Sequence, residues 1–242
     1  MKKIKSILAY FSLGEKILWA ASVCLIIIFF VLFDRINYLI LIASLIGVTS
    51  LIFNAKGNPI GQLLMVVFSI LYGIISWDMA YYGEMLTYLG MTAPMAIYAL
   101  IAWLRNPFNG NKAEVKINRL KFWEYIIMAI VTAIITWIFY YILVYFNTSN
   151  IIPSTISVTT SFVAVYLTAR RSEYYAFGYA ANDIVLIVLW GLAAMTDIRY
   201  ISVIVCFVAF LFNDLYGYIS WTKMKKRQQT KMEYSNKQVF EN

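Results

Sequence analysis

Eight apolar runs constrain this chain more than anything else in it, at about residues 17–33, 38–53, 60–81, 85–104, 123–146, 154–169, 175–195 and 199–221. Each is close to the ~20 residues that carry a helix across a bilayer, the shorter ones near the lower limit. Within lipid, every backbone N–H and C=O must pair inside its own helix or inside a closed barrel. No barrel-type alternation runs through these stretches, so the expected fold is an all-α polytopic membrane protein. A basic lead, Lys2, Lys3, Lys5 and Lys16, precedes the first run, as in a signal peptide. Phe33, however, is succeeded by Asp34-Arg35 rather than by a small-residue cleavage site, so the run is read as a retained helix.

Charge placement orients the spans. With the N-terminus inside, all of the 20 Lys and Arg residues except Arg35 and Arg199 fall on one face. They lie in 1–16, at Lys56, in 105–121, at the Arg170-Arg171 turn and in the C-terminal tail. The other face takes Arg35 and Arg199 with Asp34, Asp78, Glu84 and Asp197. That asymmetry is the positive-inside rule, and it implies an even number of spans with both termini cytoplasmic. The net charge of +8 is therefore topological. The cluster from Lys223 to Arg227 reads as a stop-transfer flank on anionic membrane lipid, and no nucleic-acid partner is expected.

Sliding the chain on itself gives a sparse match at an offset of 118 residues. Tyr72-Gly73 falls on Trp190-Gly191, Tyr98 on Tyr216, and Ile101-x-Trp103-x-Arg105 on Ile219-x-Trp221-x-Lys223. The register lays three helices (38–104) on three others (154–221), with 123–146 between them. Three plus one plus three gives both blocks one orientation, so the repeat is parallel, an arrangement found in sugar carriers of the SWEET type with the solute site between repeats. The expected organisation is 1–37 as basic lead and extra helix, 38–104 as first repeat, 105–150 as basic loop and linker helix, 151–222 as second repeat, and 223–242 as basic tail.

Two Asn-Asp pairs, Asn182-Asp183 and Asn213-Asp214, sit at membrane depth. An aspartate there costs about 2.5–3.5 kcal/mol on insertion scales and is usually functional. Tyr175, Tyr179 and Asn182 share one face of the seventh span. On the eighth, Asn213, Tyr216 and Ser220 form one stripe, and Asp214, Tyr218 and Trp221 the adjoining one. In the first block Gln62, Ser69 and Tyr72 share a face. Carboxamides donate and accept, so Asn182, Asn213 and Gln62 suit a ribose hydroxyl or an amide edge. Aromatic faces stack on a flat heterocycle, more strongly if it is cationic. Asp183 and Asp214 are open to three roles: helix–helix glue, counter-ions for a cation, or proton sites. Trp19, Trp77, Trp103, Trp123, Tyr218 and Trp221 are expected as interfacial belt anchors, and Cys24 and Cys206 as small core residues. The chain has no His, no phosphate-cradling loop and no Ser elbow, so no enzyme, metal or cofactor is expected.

The motifs resemble those of the PnuC family of nicotinamide riboside (nicotinamide mononucleotide type) transporters over about 40–225. They are Lys56-Gly57-Asn58 with Gly61, Tyr82-Gly83-Glu84, Pro94, Arg170-Arg171-x-Glu173, Asn182, and Asn213-x-x-Tyr216-Gly217-Tyr218-x-x-Trp221. The resemblance implies a SWEET-like 3+1+3 fold, a homotrimer in the bacterial cytoplasmic membrane, and facilitated uptake of an unphosphorylated nucleoside-like vitamin that a cytoplasmic kinase then traps. It also implies a binding role for Asn182, Asn213, Tyr216 and Gly217. The family's Trp-x-x-Trp falls on Tyr175 and Gly178 here; Tyr179 and Trp190 are the candidates to restore stacking. The helix 17–33 lies outside the seven-helix core. Rival readings are a carrier of thiamine, riboflavin or a deoxynucleoside, a capture subunit that needs a separate ATPase, and a ligand-free scaffold.

Overall fold

The computed structural model describes residues 10–79, 81–148 and 150–240, with side chains described through residue 233; Lys2, Lys3 and Lys5 of the basic lead lie outside the described residues. Among them are eight helices long and apolar enough to cross a membrane. They are α1 (Leu13–Phe33), α2 (Tyr38–Ala55), α3 (Pro59–Asp78), α4 (Tyr82–Leu104), α5 (Phe122–Tyr145), α6 (Ile151–Ala169), α7 (Tyr175–Ala194) and α8 (Ile201–Phe240). The all-helical membrane fold stands as expected. Three details differ. The first helix starts at Leu13 because Ser12 and Glu15 form a capping box, each side chain accepting the other's backbone N–H at 3.3 and 2.7 Å. The third ends at Asp78, with Tyr81 turned into the core. The last runs 40 residues, far beyond the apolar run that ends near Trp221, since nothing in its polar continuation breaks a helix.

Two turns share one geometry. Between α2 and α3, Gly57 takes φ +66° and the Asn58 side chain caps α3 by accepting from Ile60 N at 3.0 Å. Between α6 and α7, Arg171 takes φ 57° and Ser172 Oγ accepts from Tyr174 N at 3.3 Å. In each, the left-handed residue donates to a carbonyl three positions back: Gly57 N to Asn54 O at 2.8 Å and Arg171 N to Thr168 O at 3.0 Å. Each carbonyl also receives an indole: Trp221 Nε1 reaches Asn54 O at 2.7 Å, and Trp103 Nε1 reaches Thr168 O at 3.0 Å.

Trp103 and Trp221 are therefore not belt anchors. They are 1% and 0% exposed, with ring centroids 5.3 Å apart. Their indole N–H groups reach backbone carbonyls freed at helix ends, which lets the whole ring be buried. Trp19, Trp77 and Trp123 are exposed, as an anchor must be. The cysteines divide likewise: Cys206 is buried, whereas Cys24 faces outward from α1. Glu84, expected from its place in the sequence among the outer-face charges, is only 1% exposed.

The core forms where α2, α3 and α4 meet α6, α7 and α8. Helices α1 and α5 are peripheral: α1 buries Glu15, Ser22, Ile26 and Phe30, and α5 buries Thr132 and Leu143. The segment after α4, expected as a basic loop, holds an antiparallel hairpin, β1 (Pro107–Phe108) and β2 (Asn111–Val115). Its turn is Asn109-Gly110, both at positive φ, the pair that a tight hairpin prefers. Val115 N donates to Gly57 O at 2.9 Å. Gln228 of α8 bonds Glu114 at 2.8 Å, Val115 O at 2.9 Å and Ile117 N at 2.9 Å, and Arg227 pairs with Glu114. The hairpin thus clips the α2–α3 turn to the extension of α8.

Candidate functional site

A small internal cavity lies where six helices converge. Its walls are Leu51 of α2, Met65 and Phe68 of α3, Tyr88 and Thr92 of α4, Ser161 of α6, Tyr179, Asn182 and Asp183 of α7, and Phe207, Phe210 and Asp214 of α8. Its free volume is about 20 Å³, room for about one water. Along α7 it sits midway between Tyr175 and Trp190, roughly 10–12 Å from each at 1.5 Å per residue.

Asn182 is held by α6. Its Oδ1 accepts from Thr160 Oγ1 at 2.8 Å and Ser161 Oγ at 3.0 Å, with Ser157 Oγ at 3.5 Å. That fixes the carboxamide against α6 through its oxygen. Asp183 of α7 and Asp214 of α8 both line the cavity. Asp183 Oδ2 is buried without a partner. Tyr179 lies edge-on to Tyr175, with ring centroids 6.2 Å apart.

Aromatic layers close the cavity on two sides. On one, Trp190 Nε1 donates to Tyr72 Oη at 2.5 Å, with Tyr81, Tyr88, Tyr200 and Phe207 packed around the pair. On the other, Tyr175 packs against Trp221 at 4.7 Å and Trp103 at 6.5 Å.

Of the residues singled out from sequence, Asn182, Asp183, Asp214 and Tyr179 meet in the cavity. Tyr72 and Trp190 form one closure, and Tyr175 belongs to the other. Gln62 lies near the α2–α3 turn, donating from Nε2 to Asn54 Oδ1 at 2.8 Å. Asn213 and Tyr216 face α1: Asn213 Nδ2 donates to Ser22 Oγ at 2.9 Å, and Tyr216 Oη to Glu15 Oε1 at 3.1 Å. Glu15 also pairs with Lys56 at 3.2 Å. Asn213 is turned toward α1 by its bond to Ser22 whereas Asp214 lines the cavity, so the two do not share one site.

Sequence reading missed Thr92, Tyr88, Phe68, Phe207 and Phe210, which look like ordinary core, and the hydroxyls of α6. The last had a signal: Ser154, Ser157 and Ser161 recur at helical spacing and are all buried. The turns flanking the bundle carry ordinary surface electrostatics; Asp197, paired with Arg199, is held below the usual carboxylate range by that guanidinium.

Eight membrane helices, six of them lining an occluded cavity of amide, carboxyl and aromatic groups, have the build of a multi-pass membrane transporter. The chain belongs to the nicotinamide mononucleotide transporter family, whose model matches residues 37–223 and so begins after α1. It is similar to the nicotinamide riboside transporter PnuC of Neisseria mucosa, at 26% identity over 81% of this chain and 76% of the relative. The PnuC of Haemophilus influenzae, also a nicotinamide riboside transporter, is 26% identical over 79% of this chain and 82% of its own. A crystal structure of the vitamin B3 transporter PnuC superposes with a TM-score of 0.78 at 22% identity, covering 90% of this chain and 94% of that one.

Proposed function

We propose that this chain carries nicotinamide riboside across a bacterial cytoplasmic membrane by facilitated diffusion, with both termini inside and a cytoplasmic kinase trapping the product. The cavity carries the reading. Asn182, Ser161 and Thr92 offer donors and acceptors for ribose and amide groups, and the faces of Phe68, Tyr88, Tyr179, Phe207 and Phe210 suit a flat ring. Two carboxyls and no Lys or Arg line it. A phosphate would meet negative charge without a cation, so the riboside fits better than the mononucleotide.

Residues 38–104 and 151–222 are two parallel three-helix repeats joined by α5 in a SWEET-like 3+1+3 plan, with 1–37 outside and 223–242 a basic tail. The matching α2–α3 and α6–α7 turns, and the matching indole bonds of Trp221 and Trp103, support this plan. Transport is alternating access: the cavity is far smaller than the ~300 Å³ of the smallest usual ligand pockets, so the two blocks must part to admit substrate. The exposed apolar faces of α1 and α5 are compatible with packing into the homotrimer that the resemblance implies.

The test is uptake of labelled nicotinamide riboside by proteoliposomes that contain the purified chain alone. Saturable uptake, lost in Asn182→Ala, is the expected result. Binding without uptake would favour the capture-subunit reading, and thiamine, riboflavin or deoxynucleoside uptake a different cargo. No binding of any of these overturns the carrier reading.

A further inference from the structure

We infer that Asp183 and Asp214 act together as one counter-charge, which makes the cavity selective for monocationic ligands over neutral ones of the same shape. The inference rests on the riboside reading and adds what the site demands of the ligand's charge.

Both carboxyl groups are 3% exposed, at the middle of the bundle, and both line the cavity. Two carboxyls that line one cavity of about 20 Å³ repel each other strongly if both are ionised, so the pair acts as one net negative charge instead of two. No Lys or Arg lines the cavity to balance that charge. A buried ion without a partner is costly, and Asp183 Oδ2 is left with no hydrogen-bond donor at all.

A second feature, from a different helix, points to a ligand. Thr92 lines the same cavity, is 3% exposed, and its Oγ1 has no partner. Helical threonines elsewhere in the bundle bond back to the carbonyl four residues earlier, as Thr87 does to Gly83 O and Thr168 to Ala164 O, both at 2.8 Å, or across to a neighbouring helix, as Thr136 does to Thr159. Thr92 ends the π-helical turn Tyr88–Thr92, where Ala93 N reaches back to Tyr88 O and the register slips by one residue. Such turns recur at functional sites. Here the slip leaves the hydroxyl free to meet whatever enters.

One net negative charge, one free hydroxyl and aromatic faces form a complementary shell for a flat monocation that bears polar groups. An N-ribosylated pyridinium is of this kind; its dihydropyridine form has the same outline and no charge. The carboxyls supply the charge term, and Thr92 and Asn182 the polar contacts common to both forms.

The experiment is competitive calorimetry on the purified full chain with nicotinamide riboside and its neutral dihydropyridine form. 1-Methylnicotinamide, methylated on the ring nitrogen, serves as a cation that lacks ribose. Wild type should bind the riboside cation at least about tenfold tighter than the neutral form, and in Asp183→Asn, Asp214→Asn the ratio should fall toward one. Thr92→Val should weaken both forms alike and keep the ratio. Because each ratio is read on one preparation, a partly misfolded variant does not distort it, and Asp214→Asn alone provides a milder test of the same fall. An unchanged ratio in the double variant overturns the inference and leaves the riboside reading standing; the pair is then glue between α7 and α8. Binding of 1-methylnicotinamide without either riboside, lost in the double variant, supports the counter-charge while overturning the riboside reading. Binding of none of the three overturns both.

Discussion

Replacing Trp103 or Trp221 by Phe tests the structure's most specific packing feature. Each indole donates one hydrogen bond to a carbonyl that keeps a second donor, Arg171 N on Thr168 O and Gly57 N on Asn54 O. Phe therefore removes a bond without stranding its acceptor, a loss of about 1 kcal/mol. It also leaves about 40 Å³ unfilled, which at about 24 cal/mol per Å³ adds about 1 kcal/mol. Each single variant should lose about 2 kcal/mol, or about 4–8 °C in melting temperature for a chain of this length. Because the two rings lie 5.3 Å apart, the double variant should fall short of the sum by about 0.5–1 kcal/mol. The assay is thermal unfolding of the detergent-purified protein, followed by intrinsic fluorescence and by loss of the monodisperse peak. Two silent variants would return both residues to the membrane interface. One silent and one costly variant would refute the equivalence of the two indole sites.

Gly61→Ala should cost about 2–4 kcal/mol, because an added Cβ meets the side chain and backbone of Asn54 and must displace the acceptor of Gln62; the same melting assay reads it. Ser161→Ala and Thr160→Val should each lower affinity for the transported riboside severalfold by loosening Asn182, with the larger loss in the double variant; unchanged binding would show that α6 does not hold the carboxamide. Ser22→Ala should reproduce about half the loss of melting temperature caused by Asn213→Ala, because Asn213 Nδ2 divides its bonds between Ser22 Oγ and Ala209 O; a large effect on transport from Asn213→Ala alone would instead place that side chain on the substrate path.

Much of this fold is written in the apolar runs, because a helix in lipid has no alternative way to pair its backbone. The meeting of Asn182 and Asp183 in the cavity is legible for a related reason: polar groups at that depth are costly and gather where the helices can shelter them. Asn213 and Asp214 show where such reasoning stops. Both are polar at the same depth, but the helix turns one toward α1 and the other into the cavity, and which way round is decided only by packing. Trp103 and Trp221 misled because indoles at span ends usually meet headgroups; here the carbonyls at two helix ends offer a drier partner. The Asn109-Gly110 turn signal was in plain view within a segment otherwise read as loop. Thr92 had no signal, since its free hydroxyl depends on a π-turn that no residue pattern announces.

The length of α8 has a mechanical consequence. From Asp214 in the cavity to Lys231 the helix runs about 25 Å without interruption, at 1.5 Å per residue. A tilt of about 10° at the cavity would swing that far end by about 4 Å, within reach of distance measurements between paired spin labels. The hairpin rides against the same rod through Gln228 and holds the α2–α3 turn through Val115. A tilt at the cavity would thus be geared to a lever outside the apolar run. A label at Lys231 paired with one at Arg119 would report which way the cavity is open without touching the cavity itself.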